Sequence, residues 1–158
     1  MTEANTLIQV KDLKTYFFLD EGTVKAVDGV DMHIQRGKTL GVVGESGCGK
    51  SITARSIMRI LAKGGKIVNG EILFHQRLKD KNGNGSSPSS ELVEVIDLSK
   101  LDPYGKQMRM IRGGEISMVF QEPMTSLSPV HTIGNQIGEV ISLHQGLGPK
   151  ETREKGIE

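Results

Sequence analysis

The stretch Thr39-Leu40-Gly41-Val42-Val43-Gly44-Glu45-Ser46-Gly47-Cys48-Gly49-Lys50-Ser51 decides the fold. Thr39 to Val43 is a short apolar run of the kind that forms a buried central strand. Gly44 to Ser51 satisfies G-x-x-x-x-G-K-[ST] in full. Past Gly49 the apolar period changes: Ala54, Ile57, Met58 and Leu61 fall on one face of a helix, and Gly64-Gly65 is its expected stop. Buried strand, glycine loop and amphipathic helix in that order predict an α/β chain built around a phosphate-binding turn.

Each residue type in the loop has a physical reason to be there. Gly44, Gly47 and Gly49 are expected to take positive φ and to let the backbone approach an anion. Glu45, Ser46 and Cys48 fill the variable positions and contribute backbone N–H groups to a nest at a helix N-terminus, where the macrodipole also favours negative charge. Lys50 reaches terminal phosphates as a point charge, and the Ser51 hydroxyl ligates Mg²⁺. The pattern therefore predicts a nucleoside triphosphate site. Cys48, beside Lys50 in this loop, is expected to react readily and to be shielded by bound nucleotide, unless it is merely a small residue filling its place.

Working outward, Leu7–Phe18 and Val24–Gln35 read as strands joined by a turn at Asp20-Glu21-Gly22. Glu71–Phe74 and Leu92–Ile96 read as a further pair. Lys79–Ser90 has no apolar residue, and the region about 76–90 is expected to be a flexible hairpin-tip insertion. Pro103 is expected to open a helix to Ile111, and Glu115–Phe120 to be another buried strand. Beyond Pro129, Ile133, Ile137 and Val140 mark one face of a helix, and Pro149 starts a charged one. The predicted class is α/β with a mixed sheet: a core over 1–121, then the start of a helical subdomain over 122–158.

Composition narrows the function. The chain has 158 residues, with 20 Lys+Arg against 19 Asp+Glu and a formal net charge of +1. So even a balance argues against nucleic acid or an anionic membrane as the main partner. Cys48 is the single cysteine, which excludes an internal disulfide and a cysteine-based zinc site. No apolar run is long enough to span a bilayer, and the polar start MTEANT does not resemble a signal peptide. Glycine stands at 20 of 158, roughly 13% against a usual ~7%. Its concentration in the phosphate loop favours backbone geometry over disorder.

The segments VKDLKTYF, VKAVDGVDMHI, GVVGESGCGKS, GKIVNGEILF and MVFQEPMTSLSPVHTIGNQIGEVI resemble the ATPase subunits of ABC transporters. More narrowly, they resemble those of the dipeptide/oligopeptide importer group. The resemblance implies a P-loop NTPase core that binds ATP and Mg²⁺ and couples hydrolysis to peptide uptake. It gives Gln121 the role of the glutamine that reaches Mg²⁺ and the attacking water, with Lys50 beside it in catalysis. Gln121–Val130 would receive a cytoplasmic helix of a transmembrane permease subunit. Phe17, with Tyr16 as runner-up, would stack on adenine. Ile52 stands where many relatives carry Thr or Ser, leaving only its backbone N–H for the α-phosphate. The resemblance further implies a second ATPase subunit as partner and a peripheral place on the inner face of the plasma membrane.

The family's remaining parts are not recognised in the sequence. Arg112-Gly113-Gly114-Glu115 faintly echoes a signature LSGGQ but precedes a predicted strand, and Val93-Glu94-Val95-Ile96-Asp97 is not an apolar strand ending in Asp-Glu. His33, His75, His131 and His144 are scattered and read as surface or packing residues. The chain accordingly reads as the N-terminal portion of an ATPase, expected to bind ATP with little or no hydrolysis. A nucleotide-binding module without turnover is the alternative. A GTPase, suggested by Ser99-Lys100-Leu101-Asp102, is a distant one, because that segment lacks the usual first residue and setting.

Overall fold

The computed structural model describes residues 5–77, 93–121 and 127–157. Most of the expected insertion, and Glu122 to Ser126 after Gln121, lie outside them. The chain divides into two compact units, 1–103 and 104–158.

The first unit is a four-stranded sheet with one helix. Strands β1 (Thr6–Leu19) and β2 (Gly22–Gln35) form a hairpin, and β3 (Gly65–Arg77) and β4 (Val93–Asp97) extend it in the order β2-β1-β3-β4. Every pairing is antiparallel. Helix α1 (Lys50–Ile57) packs on β1 and β2, and a single 3-10 turn, Leu98–Lys100, follows β4.

Strand β1 changes phase partway along, and the change sets its core face. Ile8 and Val10 are buried at even positions, then Leu13 and Thr15 at odd ones. An extra residue between Val10 and Leu13 breaks the register with both neighbours. Asp12 there takes φ 43°, while Gly70 opposite takes φ 99°. A Cβ at Gly70 would lie 2.5 Å from the Asp12 carbonyl oxygen, so only glycine fits under this bulge. The core then closes with Val27, Ile57, Met58, Ile72, Phe74, Ile96 and Leu98.

Five expectations are corrected here. Thr39–Val43 is not a strand, and Val43 is 93% exposed. Glu115–Phe120 likewise forms only a bridge from Arg112 to Ile116, with Val119 94% exposed. An apolar run becomes a buried strand only when neighbours satisfy its backbone, and among the described residues no strand pairs with either run. The sheet is therefore antiparallel where a mixed one was expected, within the same α/β class. The buried face of α1 is Thr53, Ser56 and Ile57, while Ala54 is exposed. Helix α1 ends at Ile57, where Met58 caps it and Arg59 turns left-handed at φ 55°, well before Gly64.

The second unit holds α2 (Lys106–Gly114), α3 (Ile133–Gln145) and α4 (Pro149–Ile157). Helix α2 starts at Lys106 behind Gly105, not at Pro103, and kinks where Gly113 takes φ 87°. Thr132 caps α3 by accepting from the Asn135 N–H, and Gly146 ends it at φ 66°. Small residues bring α3 and α4 together: a Cβ at Gly156 would be 3.6 Å from both Ile137 and Ile141. Ile133, Ile137 and Val140 share a face as expected, and all three are exposed.

Candidate functional site

Residues 44–52 run from the exposed loop into the first turn of α1. Gly47 and Gly49 take φ 83° and 95°, the left-handed conformation expected of them. Gly44 does not; its constraint is contact, because a Cβ there would be 2.7 Å from Cys48 Sγ. Gly49 is constrained twice, since its Cβ would lie 2.5 Å from the Ala26 carbonyl oxygen. Ala26 is an extra residue in β2: Thr15 pairs with Val27 and Tyr16 with Lys25. That β-bulge, invisible as a motif in the sequence, fixes where the loop meets the sheet.

Lys50 is turned onto its own loop. Its Nζ donates to the carbonyl oxygens of Gly44 and Glu45, each at 2.7 Å, and to Cys48 Sγ at 3.4 Å. Helix α1 has Gly49 as N-cap with no side-chain hydrogen bond, and its first turn has no acidic residue. An ammonium and the uncapped N–H groups of a helix start thus lie together, with no acidic residue in the helix's first turn. This donor set fits a polyphosphate. Ser51 follows Lys50 with an exposed side chain, and Ile52 spends its carbonyl on the Ser56 hydroxyl at 2.7 Å.

A buried polar pair anchors the helix beneath this loop. Thr15 Oγ1 and Ser56 Oγ are 2.8 Å apart, and both residues are fully buried. Ser56 has one hydroxyl proton and gives it to Ile52, so Thr15 is the donor across the interface. The signal was available in the sequence: Thr15 occupies the same alternation as Leu13.

Phe17 and Tyr16 leave β1 on opposite faces. Phe17 lies opposite Val24 and Gly65, with its ring edge 2.7 Å from where a Gly65 Cβ would stand. Tyr16 donates its hydroxyl to Asp28 Oδ1 at 2.6 Å, and Lys25 Nζ lies 5.4 Å from its ring centroid. The Tyr16 bond holds the Asp28 carboxyl below its usual range and raises the phenol. In the second unit, Gln121 is exposed at the end of Glu115–Phe120; of Gln121–Val130, residues 121 and 127–130 are described.

The guanine-reading alternative finds its lysine occupied. Lys100 Nζ pairs with Asp97 Oδ2 at 2.8 Å, while Asp97 Oδ1 accepts from Ile72 N, Ser99 N and Ser99 Oγ. Ser99-Lys100 is thus the 3-10 turn that ties β4 to β3. Two of the histidines fill local roles: His131 Nδ1 lies 3.0 Å from Ser128 Oγ, and His144 packs on Gly113.

Comparison with known proteins agrees with this geometry. The family model described as ABC transporter matches residues 27–156. A probable peptide ABC transporter ATP-binding protein of Sinorhizobium fredii is 43% identical over 157 residues, covering 99% of this chain and 41% of the relative. The oligopeptide transport ATP-binding protein AppD of Bacillus subtilis is 46% identical, with 98% and 41% covered. The glutathione import ATP-binding protein GsiA of Escherichia coli is 40% identical, with 94% and 22% covered. The chain thus spans 41% or less of these relatives. The dimeric ATP-binding cassette MJ0796, in a post-hydrolysis state bound to ADP and Pi, shares the fold at a TM-score of 0.68 and 20% identity, covering 96% of this chain and 54% of that one. Family model, relatives and fold agree, and the chain belongs to the ABC transporter family.

Proposed function

We propose that residues 44–52 bind MgATP and that the chain serves as the nucleotide-binding portion of a peptide importer's ATP-binding subunit, coupling ATP binding and hydrolysis to uptake. The observation that carries this reading is Lys50 Nζ held on the Gly44 and Glu45 carbonyls, at a helix start free of acidic residues and side-chain caps. Incoming phosphates would take over that ammonium and the loop N–H donors. Mg²⁺, held by Ser51 and Gln121, would neutralise phosphate charge. Phe17 is assigned to the adenine ring, because the Tyr16 ring already faces the Lys25 ammonium. The peptide cargo rests on the names of the relatives, which include peptide, oligopeptide and glutathione importers.

The partners follow from the same reading. Gln121–Val130 would dock a transmembrane permease subunit, and a second ATPase subunit would face the nucleotide. A peripheral place on the membrane's inner face belongs to the same reading; among the described residues no helix is long and apolar enough to cross a membrane. By itself the 158-residue chain should hold ATP and turn it over little, since Lys50, Ser51 and Gln121 position the nucleotide without supplying a carboxylate for the attacking water.

Thermal unfolding with MgATP tests the site. At ~100 times its dissociation constant the ligand should stabilise the chain by ~2.7 kcal/mol. Lys50→Ala should remove most of that shift, because a charge-assisted phosphate contact is lost. Equal shifts in both proteins would falsify the assignment. GTP that competes as well as ATP would favour the guanine reading, and steady-state phosphate release measures turnover.

A further inference from the structure

The His144 ring, in the last turn of α3, lies against the glycines at the kink of α2. A Cβ at Gly113 would stand 2.6, 3.1 and 3.4 Å from its Nε2, Cε1 and Cδ2, and one at Gly114 would stand 3.6 Å from its Nδ1. Glycine thus makes room for the ring at residue 113, and the φ of 87° there calls for glycine a second time. The kink is a knot of backbone bonds. Gly113 N donates to Ile116 O at 2.8 Å, while Glu115 N and Ile116 N donate to Ile111 O at 2.9 and 3.0 Å. Buried Ile111 anchors the knot on one side, and the His144 ring meets it from α3, a helix capped at both ends by Thr132 and Gly146. Among the described residues no backbone hydrogen bond holds Ser117–Gln121. The direction in which the chain leaves Ile116 toward Gln121 is therefore set at the kink.

We propose that His144 is a positioning residue for Gln121: its ring, wedged against Gly113 and Gly114, keeps the kink in the shape from which Ile116–Gln121 carries the glutamine to Mg²⁺. The inference rests on the metal role given above to Gln121. Its physical content is preorganisation: a side chain on a short tether loses less freedom on binding when the root of the tether is fixed. His144 itself need not touch nucleotide or metal.

His144→Ala and His144→Gln remove the ring and put good helix formers in its place, whereas His144→Phe keeps a flat ring. With neither nucleotide nor metal added, the Gly113 and Ile116 amides should exchange roughly tenfold faster in the two ringless variants. Their affinity for MgATP, measured by calorimetric titration, should fall about tenfold, as it should in Gln121→Ala. Their affinity for ATP with the metal chelated should not change, which certifies their folding; should His144→Ala not fold, His144→Gln carries the test. His144→Phe should behave like wild type throughout. In the Gln121→Ala background His144→Ala should add nothing, because the side chain it places is gone. If Gln121→Ala loses no more affinity for MgATP than for metal-free ATP, the metal role of Gln121 fails and the proposal with it. If that loss is present while the ringless variants bind MgATP like wild type, the metal role stands and the positioning role is overturned. A His144 loss that adds to that of Gln121→Ala, extends to metal-free ATP, appears equally in His144→Phe or comes without faster Gly113 exchange also overturns it, because the effect would not pass through the ring, the kink and the glutamine.

Discussion

Gly49 and Ala26 touch so closely that a Cβ on residue 49 would stand 2.5 Å from the Ala26 carbonyl oxygen. The contact joins the phosphate loop to a β-bulge in β2, so the loop's position is set by the sheet as well as by its own glycines. Loop and strand therefore respond together to substitution.

Gly49→Ala should be the most damaging change in the loop. It places a side chain at φ 95° and drives it into backbone that cannot rotate away. We expect a loss of about 2–4 kcal/mol, the range of strained and overpacked sites, and no measurable MgATP binding. Gly47→Ala shares the left-handed φ of 83° but meets nothing within 4 Å. It should cost only about 1–2 kcal/mol. Denaturant unfolding of the two variants checks the contrast, and equal losses would mean that the Ala26 contact is not felt.

Thr15→Val should destabilise the first unit by about 1–3 kcal/mol, since the Ser56 oxygen loses its buried donor. Ser56→Ala removes the acceptor instead and leaves the Thr15 hydroxyl unpaired, with a similar cost. The double variant Thr15→Val, Ser56→Ala should be less damaging than the sum, because an apolar pair leaves nothing unsatisfied. A double-mutant cycle measured by urea unfolding gives the coupling; strict additivity would show that the pair contributes nothing of its own.

Acid should release the tie between β3 and β4. Burial pushes the Asp97 carboxyl up, but Lys100, Ser99 and the Ile72 N–H together outweigh it and hold the group below its ordinary 3.8. A depressed carboxyl contributes stability that is fully present above that ordinary value and lost as pH falls through the lower folded one. Asp97→Ala should cost about 1–3 kcal/mol at neutral pH. The gap between wild type and variant should narrow as pH falls below 3.8. Urea midpoints measured across that range decide it, and a constant gap would separate Asp97 from the acid sensitivity.

The sequence spoke most clearly where local chemistry decides the outcome. β1 was legible from its β-branched and aromatic residues, and Pro149 marked the start of α4 because its ring suits a first helical position. The loop was legible because glycine geometry at Gly47 and Gly49 has few alternatives. Long-range relations were not. A short apolar run predicts a strand at Thr39–Val43 but cannot say whether another strand lies beside it. The Ala26 bulge and the Thr15–Ser56 pair each depend on residues that meet only in the folded chain. Ala54 was assigned to the buried face of α1 on spacing alone, whereas the helix turns Ser56 to Thr15.

The adenine assignment can be tested through a glycine that should not touch the nucleotide. A Gly65 Cβ would stand 2.7 Å from Phe17 Cε1, and Gly65 has no positive φ to be violated. Gly65→Ala should therefore act chiefly by displacing the Phe17 ring. If Phe17 stacks on adenine, Phe17→Ala should weaken MgATP binding by roughly tenfold, as ~1 kcal/mol of aromatic contact implies, and Phe17→Tyr should be near neutral. Gly65→Ala should weaken binding in the same direction, yet add nothing in the Phe17→Ala background, because the ring it displaces is gone. Tyr16→Ala should spare affinity, since its ring is committed to Asp28 and Lys25 on the other face of β1. Calorimetric titration of the variants separates the two aromatics. A larger loss in Tyr16→Ala than in Phe17→Ala would move the adenine contact to Tyr16, and an undiminished Gly65→Ala effect without the Phe17 ring would show that the glycine acts by another route.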